Sequence, residues 1–316
     1  EVERVSIAGS TRRMKETIGD VDILATSKSP EKVIDFFAKM PNVAQVLAKG
    51  DTKSSIRLKE GLQVDLRVMN DEIFGAALLY FTGNIEHNII LRRIAIEKNL
   101  KLSEYGLFDK KTNKLVAGRT EEKVYKKLGM DCIEPEMRED EGEIELAQHH
   151  MLPKIIGYND LKGDLQMHTK WSDGSNTIEE MAVAAKKLGH EYVCITDHTG
   201  KLAIAHALDK KRIIQQRRGI EEVNKKVRGI TILQGTEVNI NNDGTLDMED
   251  KVLKQLDIVI AAIHSGFKNP KDKMTKRIVR VMENENVDII AHPTGRLITK
   301  RESYEIDLDA VLDVAK

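Results

Sequence analysis

Aromatic side chains make up only 4% of this 316-residue chain. That is too few rings for a broad platform on which successive bases of a single strand stack, so such a surface is excluded. The formal net charge is −1. A protein that grips nucleic acid over its whole surface is therefore excluded, and any contact of that kind must come from local patches. Two cysteines, Cys132 and Cys194, lie far apart in different predicted domains, the usage of a reduced cytoplasmic protein. No apolar run approaches membrane-spanning length and no signal peptide is visible, so no membrane partner is expected. What remains is ordinary globular material, 41% hydrophobic and 32% charged, long enough for two or three domains.

The most informative stretch is 9–22, which reads G-S-T-R-R-M-K-E-T-I-G-D-V-D. Asp20 and Asp22 are two apart, so in an extended strand they share one face. A third carboxylate, Asp65, lies in Leu62–Val68, where Leu62, Val64, Leu66 and Val68 alternate with Gln63, Asp65 and Arg67. If these strands are neighbours, three carboxylates converge on one solvent-facing patch. Their mutual repulsion calls for a cation, and hard oxygen donors suit Mg²⁺. Two such ions about 4 Å apart can activate an attacking hydroxyl and stabilise a leaving pyrophosphate. Ahead of the acids, Gly9-Ser10 ends a strand pattern at Val2–Ala8 and precedes a helix-prone stretch, Thr11–Ile18. Free N–H groups there, with Arg12 or Arg13, could meet a phosphate. The plainer alternative is a Ser-capped surface helix followed by an acidic turn.

Gly9–Asp22, Val64–Arg67 and Tyr80-Phe81-Thr82-Gly83 together resemble the palm and thumb of family X DNA polymerases, the relatives of DNA polymerase beta. The resemblance implies that Asp20, Asp22 and Asp65 hold two metals. It also implies that Ser10, Arg13 and Gly19 contact the incoming deoxynucleoside triphosphate. Tyr80, Phe81 and Gly83 would line the sugar pocket, and Asn88 would meet the base or the minor-groove edge. Gln63 departs from the pattern, since polymerase beta carries an arginine there near the primer phosphate.

Along the chain, 1–72 reads as an α+β palm, with strands at Val2–Ala8, Val21–Ala25, Ser54–Leu58 and Leu62–Val68 around a helix at Pro30–Met40. Lys59-Glu60-Gly61 forms a hairpin turn. From Glu72 to Lys98 the apolar spacing is helical, first Ile73, Ala76, Ala77 and Tyr80, then Ile85, Ile89, Ile90 and Ile94. A strand pair within Leu102–Val116 and a helix at Glu121–Leu128, closed by Gly129, complete a small thumb at 73–137. Lys98, Lys101, Lys110, Lys111, Lys114, Lys123, Lys126 and Lys127 bias this region towards DNA contact or form a solvated helix face. Five acids between Glu139 and Glu145 read as a linker, 138–160, or as a solvated helix start. Beyond it, Tyr192–Thr196, Ile230–Gln234, Ile258–Ile263 and Val287–Ala291 read as parallel strands buried on both faces. Helical patterns at Thr177–Leu188, Lys210–Val227, Met248–Leu256 and Pro270–Asn284 separate them, a β/α repeat compatible with a barrel or an open sheet.

Nearly every strand of this second half ends in a possible metal ligand. His168 and Asp173 follow the first, and His198 the second. Glu237, His264 and His292 follow the next three. Residues at C-terminal strand ends converge in β/α architectures, and imidazole with carboxylate suits Zn²⁺, Mn²⁺ or Fe²⁺. The other histidines, His87, His149, His150, His190 and His206, read as surface or packing residues. These motifs resemble the PHP (polymerase and histidinol phosphatase) domain that bacterial and archaeal family X polymerases carry after the thumb. The resemblance implies a Zn²⁺ or Mn²⁺ cluster on His168, Asp173, His198, Glu237, His264 and His292 that activates water for phosphodiester hydrolysis. Gln166 stands where the family has the first histidine of a His-x-His pair, and the last Asp-x-His pair is expected beyond Lys316. The PHP domain, 161–316, is accordingly read as a distorted, incomplete barrel in a chain trimmed at both ends, without the family's amino-terminal lyase-like part.

The expected protein is a monomeric, cytoplasmic gap-filling DNA polymerase acting on gapped or primed duplex and deoxynucleoside triphosphates, fused to a 3′–5′ exonuclease. Two alternatives share these residues: a nucleotidyltransferase acting on substrates other than DNA, and a DNA-binding scaffold whose PHP metals are structural.

Overall fold

Alternation in the segment around Asp65 builds the middle of a mixed sheet. The computed structural model describes residues 2–200 and 206–316, and contacts divide the chain into two units, Glu1–Lys154 and Ile155–Lys316. The first unit opens with β1 (Arg4–Ile7), α1 (Gly9–Arg12), β2 (Asp20–Thr26), α2 (Pro30–Ala38), β3 (Val43–Lys49), β4 (Lys53–Leu58) and β5 (Gln63–Met69). The strand order is β1-β2-β5-β4-β3, with β2 and β5 parallel and the other pairs antiparallel. Val64, Leu66 and Val68 turn towards Ile34 and Phe37 of α2, together with Ile56 and Ala25. Burying each such side chain contributes about 1.5–3 kcal/mol. The opposite face carries Asp22, Leu24 and Asp65, and at its far end Leu24 packs with Phe74, Ala77 and Leu78. Edge strand β3 leaves all its residues after Val43 exposed, so it carries no burial periodicity that a sequence pattern could display.

Four expectations change in this unit, three of them before Gly129. Helix α1 ends at Arg12 instead of running to Ile18, and Met14 turns to φ +56°. Arg12 and Arg13 are drawn inward to Thr82, Glu121 and Glu139, and the chain turns there. Next, the apolar spacing divides into α3 (Phe74–Thr82) and α4 (Ile85–Glu97), but α4 buries His87, Leu91, Ile94 and Ala95 and leaves Ile85 71% exposed. The buried face is thus rotated away from Ile85 and Ile89. Finally, the strand pair is a three-stranded sheet of β6 (Leu100–Ser103), β7 (Gly106–Asp109) and β8 (Leu115–Ala117).

Helix α5 (Glu121–Leu128) is closed by Gly129 at φ +80°, with the Met130 N–H returning to the Tyr125 carbonyl. A Cβ on Gly75 of α3 would lie 2.2–2.4 Å from the Thr120 backbone, so glycine is what allows the helix to approach that strand of chain. The acidic stretch after Met137 does not behave as a linker. Arg138 is fully buried, Glu143 is 4% exposed and begins α6 (Glu143–Gln148), and Ile144 and Ala147 join the core around Leu91 and Tyr125. Partners from other elements hold them inside: Arg138 pairs with Glu121, and Glu143 is hydrogen-bonded to His87.

The second unit contains β9 (Gly163–Met167), α7 (Ile178–Lys187), β10 (Tyr192–Ile195), β11 (His198–Thr199), α8 (Lys210–Lys226), β12 (Thr231–Asn239), α9 (Asp250–Leu253), β13 (Ile258–Ala262), α10 (Lys271–Met282), β14 (Ile289–Ile290) and α11 (Leu308–Ala315). Its sheet runs β14-β13-β12-β10-β9 with every pairing parallel, and β11 pairs with the second half of β12. The sheet curls into half of a barrel. Helix α7 starts with a capping box between Thr177 and Glu180, which satisfies two otherwise unpaired N–H groups. Apolar clusters cover the sheet around Ile195 and Ile232 and around Val259 and Ile278. By register these clusters share one face; the other carries Ile260 and Ala262 together with Glu237 and the exposed Gln166, so only the helix-covered face is dry throughout.

Candidate active sites

In the first unit, the parallel register sets Asp22 directly opposite Asp65 and Asp20 opposite Gln63. All three carboxylates lie on one face, at the end of the sheet left open by Phe74 and Leu78. The patch is graded and not uniformly solvent-facing: Asp20 is exposed, Asp22 half-buried and Asp65 9% exposed. Asp65 is held on both oxygens, by the Ser55 hydroxyl on Oδ1 and by Gln63 Nε2 at 2.9 Å on Oδ2. Burial, and then the neighbouring Asp20 and Asp65, push the Asp22 carboxyl above its ordinary range. Gly9, at φ +62°, lets the chain pass Asp22; a Cβ there would come 2.6 Å from Asp22 Oδ2.

Arg12 and Arg13 divide their roles. Arg12 points inward, donating to Thr82 Oγ1 at 2.8 Å and pairing with Glu121 at 2.6 Å. Glu121 also receives Arg138 Nη1 at 2.7 Å. Arg13 donates to the Thr82 carbonyl and to Glu139 Oε1 at 3.0 Å. It borders an open groove of about 560 Å³ with Ser10 and Lys15. Gly19 precedes β2 on the surface.

Tyr80 and Phe81 pack edge to face at the end of α3, 5.1 Å between ring centres, and the Arg67 guanidinium lies 4.3 Å over the Phe81 ring. Gly83 follows at φ +72°, where a Cβ would sit 3.2 Å from Arg13 Nη1. Asn88 does not present a free amide, since its Nδ2 donates to the Tyr80 carbonyl at 2.7 Å.

In the second unit, Glu237 is the hub. It receives His168 at 3.1 Å on Oε2, and His264 and His292 each at 2.9 Å on Oε1. Asp173 stands 3.8 Å from His168 Nδ1 and 3.6 Å from His198 Nε2. Among the described residues, three donor atoms come within 4.8 Å of one another in two groups only, His168–Asp173–His198 and His198–Glu237–His264. Asp20, Asp22 and Asp65 do not close to that spacing. Burial acts to raise the Glu237 carboxyl, but the hydrogen bonds from His168, His264 and His292 prevail and hold it well below the carboxylate range. His198 moves down through burial, whereas His168 moves up, because Glu237 outweighs burial. The Nδ1 atoms of His168, His198 and His264 are buried without a hydrogen-bond partner. Orphaned imidazole nitrogens beside a 2%-exposed carboxylate fit a site for divalent metal ions.

Comparison with known families agrees on the thumb and PHP regions. Residues 77–139 match the DNA polymerase beta thumb and residues 164–303 match the PHP domain. The chain is also 41% identical over 315 residues to the DNA polymerase/3′–5′ exonuclease PolX of Bacillus subtilis, covering 99% of this chain and 55% of that protein. A probable phosphatase of Thermoanaerobacter sp. is 36% identical over 48% of this chain and 60% of its own length. A probable phosphatase of a Shewanella species is 35% identical, again over 48% of this chain. The chain thus spans little more than half the length of these curated relatives. Polymerases and PHP proteins are in general metal-dependent, which suits the donor sets above.

Around the PHP cluster, Asp197 takes part although no role is assigned to it from the sequence, and Gln166 takes part as a hydrogen-bond donor in place of a ligand. Asp197, 1% exposed, accepts from the Thr169 N–H at 2.7 Å, Thr169 Oγ1 at 2.6 Å, Ser172 Oγ at 2.5 Å and Gln216 Nε2 at 2.7 Å. It ties the loop after His168 to the strand end that carries His198. Gln166 donates its amide to Glu237 Oε2 at 2.9 Å. In the thumb, His87 is fully buried between Glu143 at 2.7 Å and Tyr125 at 2.9 Å, a packing role. Ser55 was hidden from the sequence pattern, because only strand register brings it beside Asp65. No helix among the described residues is long and apolar enough to cross a membrane.

Proposed function

We propose that residues 1–72 form a nucleotidyltransferase palm, and that the chain extends the primer of gapped or primed duplex DNA with deoxynucleoside triphosphates. The observation that carries this reading is Asp22 opposite Asp65 on parallel strands, with Gly9, which leads into Ser10, packed against Asp22. Asp65 is restrained by neutral donors on both oxygens, so its carboxylate keeps a fixed direction in which to orient the primer 3′-hydroxyl and accept its proton. Asp20 and Asp22 crowd negative charge that water alone counters poorly. Bound divalent ions, Mg²⁺ in this reading, would supply the compensating charge for in-line phosphoryl transfer. Arg13 and Ser10 would receive the triphosphate and Gly19 would let it approach. Tyr80, Phe81 and Gly83 would form the wall beside the sugar, with Asn88 completing it once released from the Tyr80 carbonyl.

The PHP half is read as a 3′–5′ exonuclease. Glu237, His168, His198, His264, His292 and Asp173 would hold divalent ions, Zn²⁺ or Mn²⁺ in this reading, which would supply Lewis-acid chemistry for phosphodiester hydrolysis. Asp197 keeps the His168 loop and the His198 strand end in register for that chemistry.

Primer extension with Mg²⁺, comparing wild type with Asp20→Ala/Asp22→Ala and dATP with ATP, tests the first half. Extension should vanish in the double variant, and dATP should be preferred. Retained extension would refute the palm reading, and a preference for ATP would point to a different nucleotidyltransferase.

A further inference from the structure

The cations that border the groove beside Ser10 already hold an anion that belongs to the protein. Arg13 Nε lies 3.0 Å from Glu139 Oε1 and Lys15 Nζ lies 3.2 Å from Glu139 Oε2. Asn84 Nδ2 donates to the same Oε2 at 3.4 Å. Guanidinium, ammonium and amide thus converge on one carboxylate, the donor set that a phosphate group would also recruit. Glu139 is separated from Arg13 by 126 residues and arrives from the acidic segment after Met137. The open groove of about 560 Å³ lies immediately alongside.

We propose that Glu139 is a built-in competitor for the triphosphate site: its carboxylate occupies the place of a phosphate group and must yield Arg13 and Lys15 before a nucleotide binds. The inference rests on the reading of Arg13 as a triphosphate contact and adds Lys15 and Asn84 to that site. Glu139 screens the cations and so sets nucleotide affinity. The Arg13 head is already fixed by the Thr82 carbonyl, so removing the Glu139 charge leaves the guanidinium positioned.

The test is calorimetric titration of the full chain, without DNA, using Mg²⁺-dATP and, separately, inorganic tripolyphosphate. Glu139→Gln keeps the shape and removes the charge. It should tighten both probes by about three- to tenfold, the range for releasing two partly exposed ion pairs. Lys15→Met should weaken both probes, and more so in the Glu139→Gln background, where Lys15 is no longer neutralised. If Arg13→Ala loses dATP affinity while Glu139→Gln leaves it unchanged or weaker, the competitor role is overturned and the phosphate cradle stands. If Arg13→Ala leaves affinity unchanged, the cradle reading falls and this inference with it. Thermal melting of each variant separates these outcomes from loss of fold.

Discussion

Arg138 Nη1 lies 2.7 Å from Glu121 Oε1, and both side chains are buried. Arg138 also donates through Nε and Nη2 to the Ile133 carbonyl, and Glu121 takes Arg12 on its other oxygen. Burial acts to raise the Glu121 carboxyl, but Arg12 and Arg138 outweigh it and keep the group below its ordinary range. Removing Arg138 takes both donors from the Ile133 carbonyl and leaves Glu121 with Arg12 as its remaining cation. Arg138→Ala should therefore lower the stability of the first unit by about 3 kcal/mol. Urea unfolding followed by circular dichroism measures it, and a loss under about 1 kcal/mol would contradict the arrangement.

The buried His87 makes stability pH-dependent. Burial is the largest influence and, despite Glu143, holds the His87 pKa below its ordinary value. Below the ordinary histidine range the unfolded chain gains a proton that the folded chain refuses. Stability is then complete above about pH 6.5 and falls with pH below it, until the folded-state pKa is passed. The lowered carboxyls of Glu143 and Glu121 add a second loss at more acid pH. Unfolding curves from pH 8 to pH 5 should show the first slope, and His87→Gln should flatten it; an unaltered slope in that variant would assign the effect elsewhere.

The clamp on Asp65 predicts a graded series. Asp65→Asn retains an acceptor for Ser55 but loses the negative charge, so primer extension should fall by about 10²–10⁴-fold. Ser55→Ala leaves the charge and releases one oxygen, so a smaller loss, about tenfold, is expected in kcat with KM for nucleotide little changed. Ser55→Thr should restore most of it. Equal losses in Ser55→Ala and Ser55→Thr would show that the hydroxyl does not position Asp65.

At the PHP cluster, Glu237→Gln should release metal, because the hub carboxylate is the group shared by His168, His264 and His292. Elemental analysis after dialysis should show lower occupancy, and exonuclease digestion should fall in parallel. Asp197→Ala acts differently. It leaves four donors without their acceptor and should cost about 3 kcal/mol of stability, with metal affinity reduced about 10–100-fold, as for other groups that support ligands. Full metal content at unchanged affinity in Asp197→Ala would refute the positioning role.

Much of this was legible before any coordinates. A period of two placed Val64, Leu66 and Val68 on one face and Asp65 on the other, and β5 keeps that division. The β-branched runs at 192–196 and 258–263 identified strands whose ends carry His198 and His264, because a strand covered on both faces needs apolar residues throughout. The short α1, the rotated face of α4 and the burial of Arg138 and Glu143 after Met137 were not legible, although a helix start in that acidic run was. Each is decided by a group distant in sequence: Thr82 and Glu121 for Arg12, and Glu143 for His87.

By itself the sequence determined which chemical groups were available and on which face of each strand they would lie, since side-chain alternation is a local property of an extended backbone. Only the tertiary structure decided which of those groups meet. Asp22 faces Asp65 because β2 and β5 pair in one register. Glu139 reaches Arg13, and four donors enclose Asp197, because packing brings distant segments together. Such meetings follow from burying apolar surface cooperatively, and that choice leaves no periodic trace along the chain.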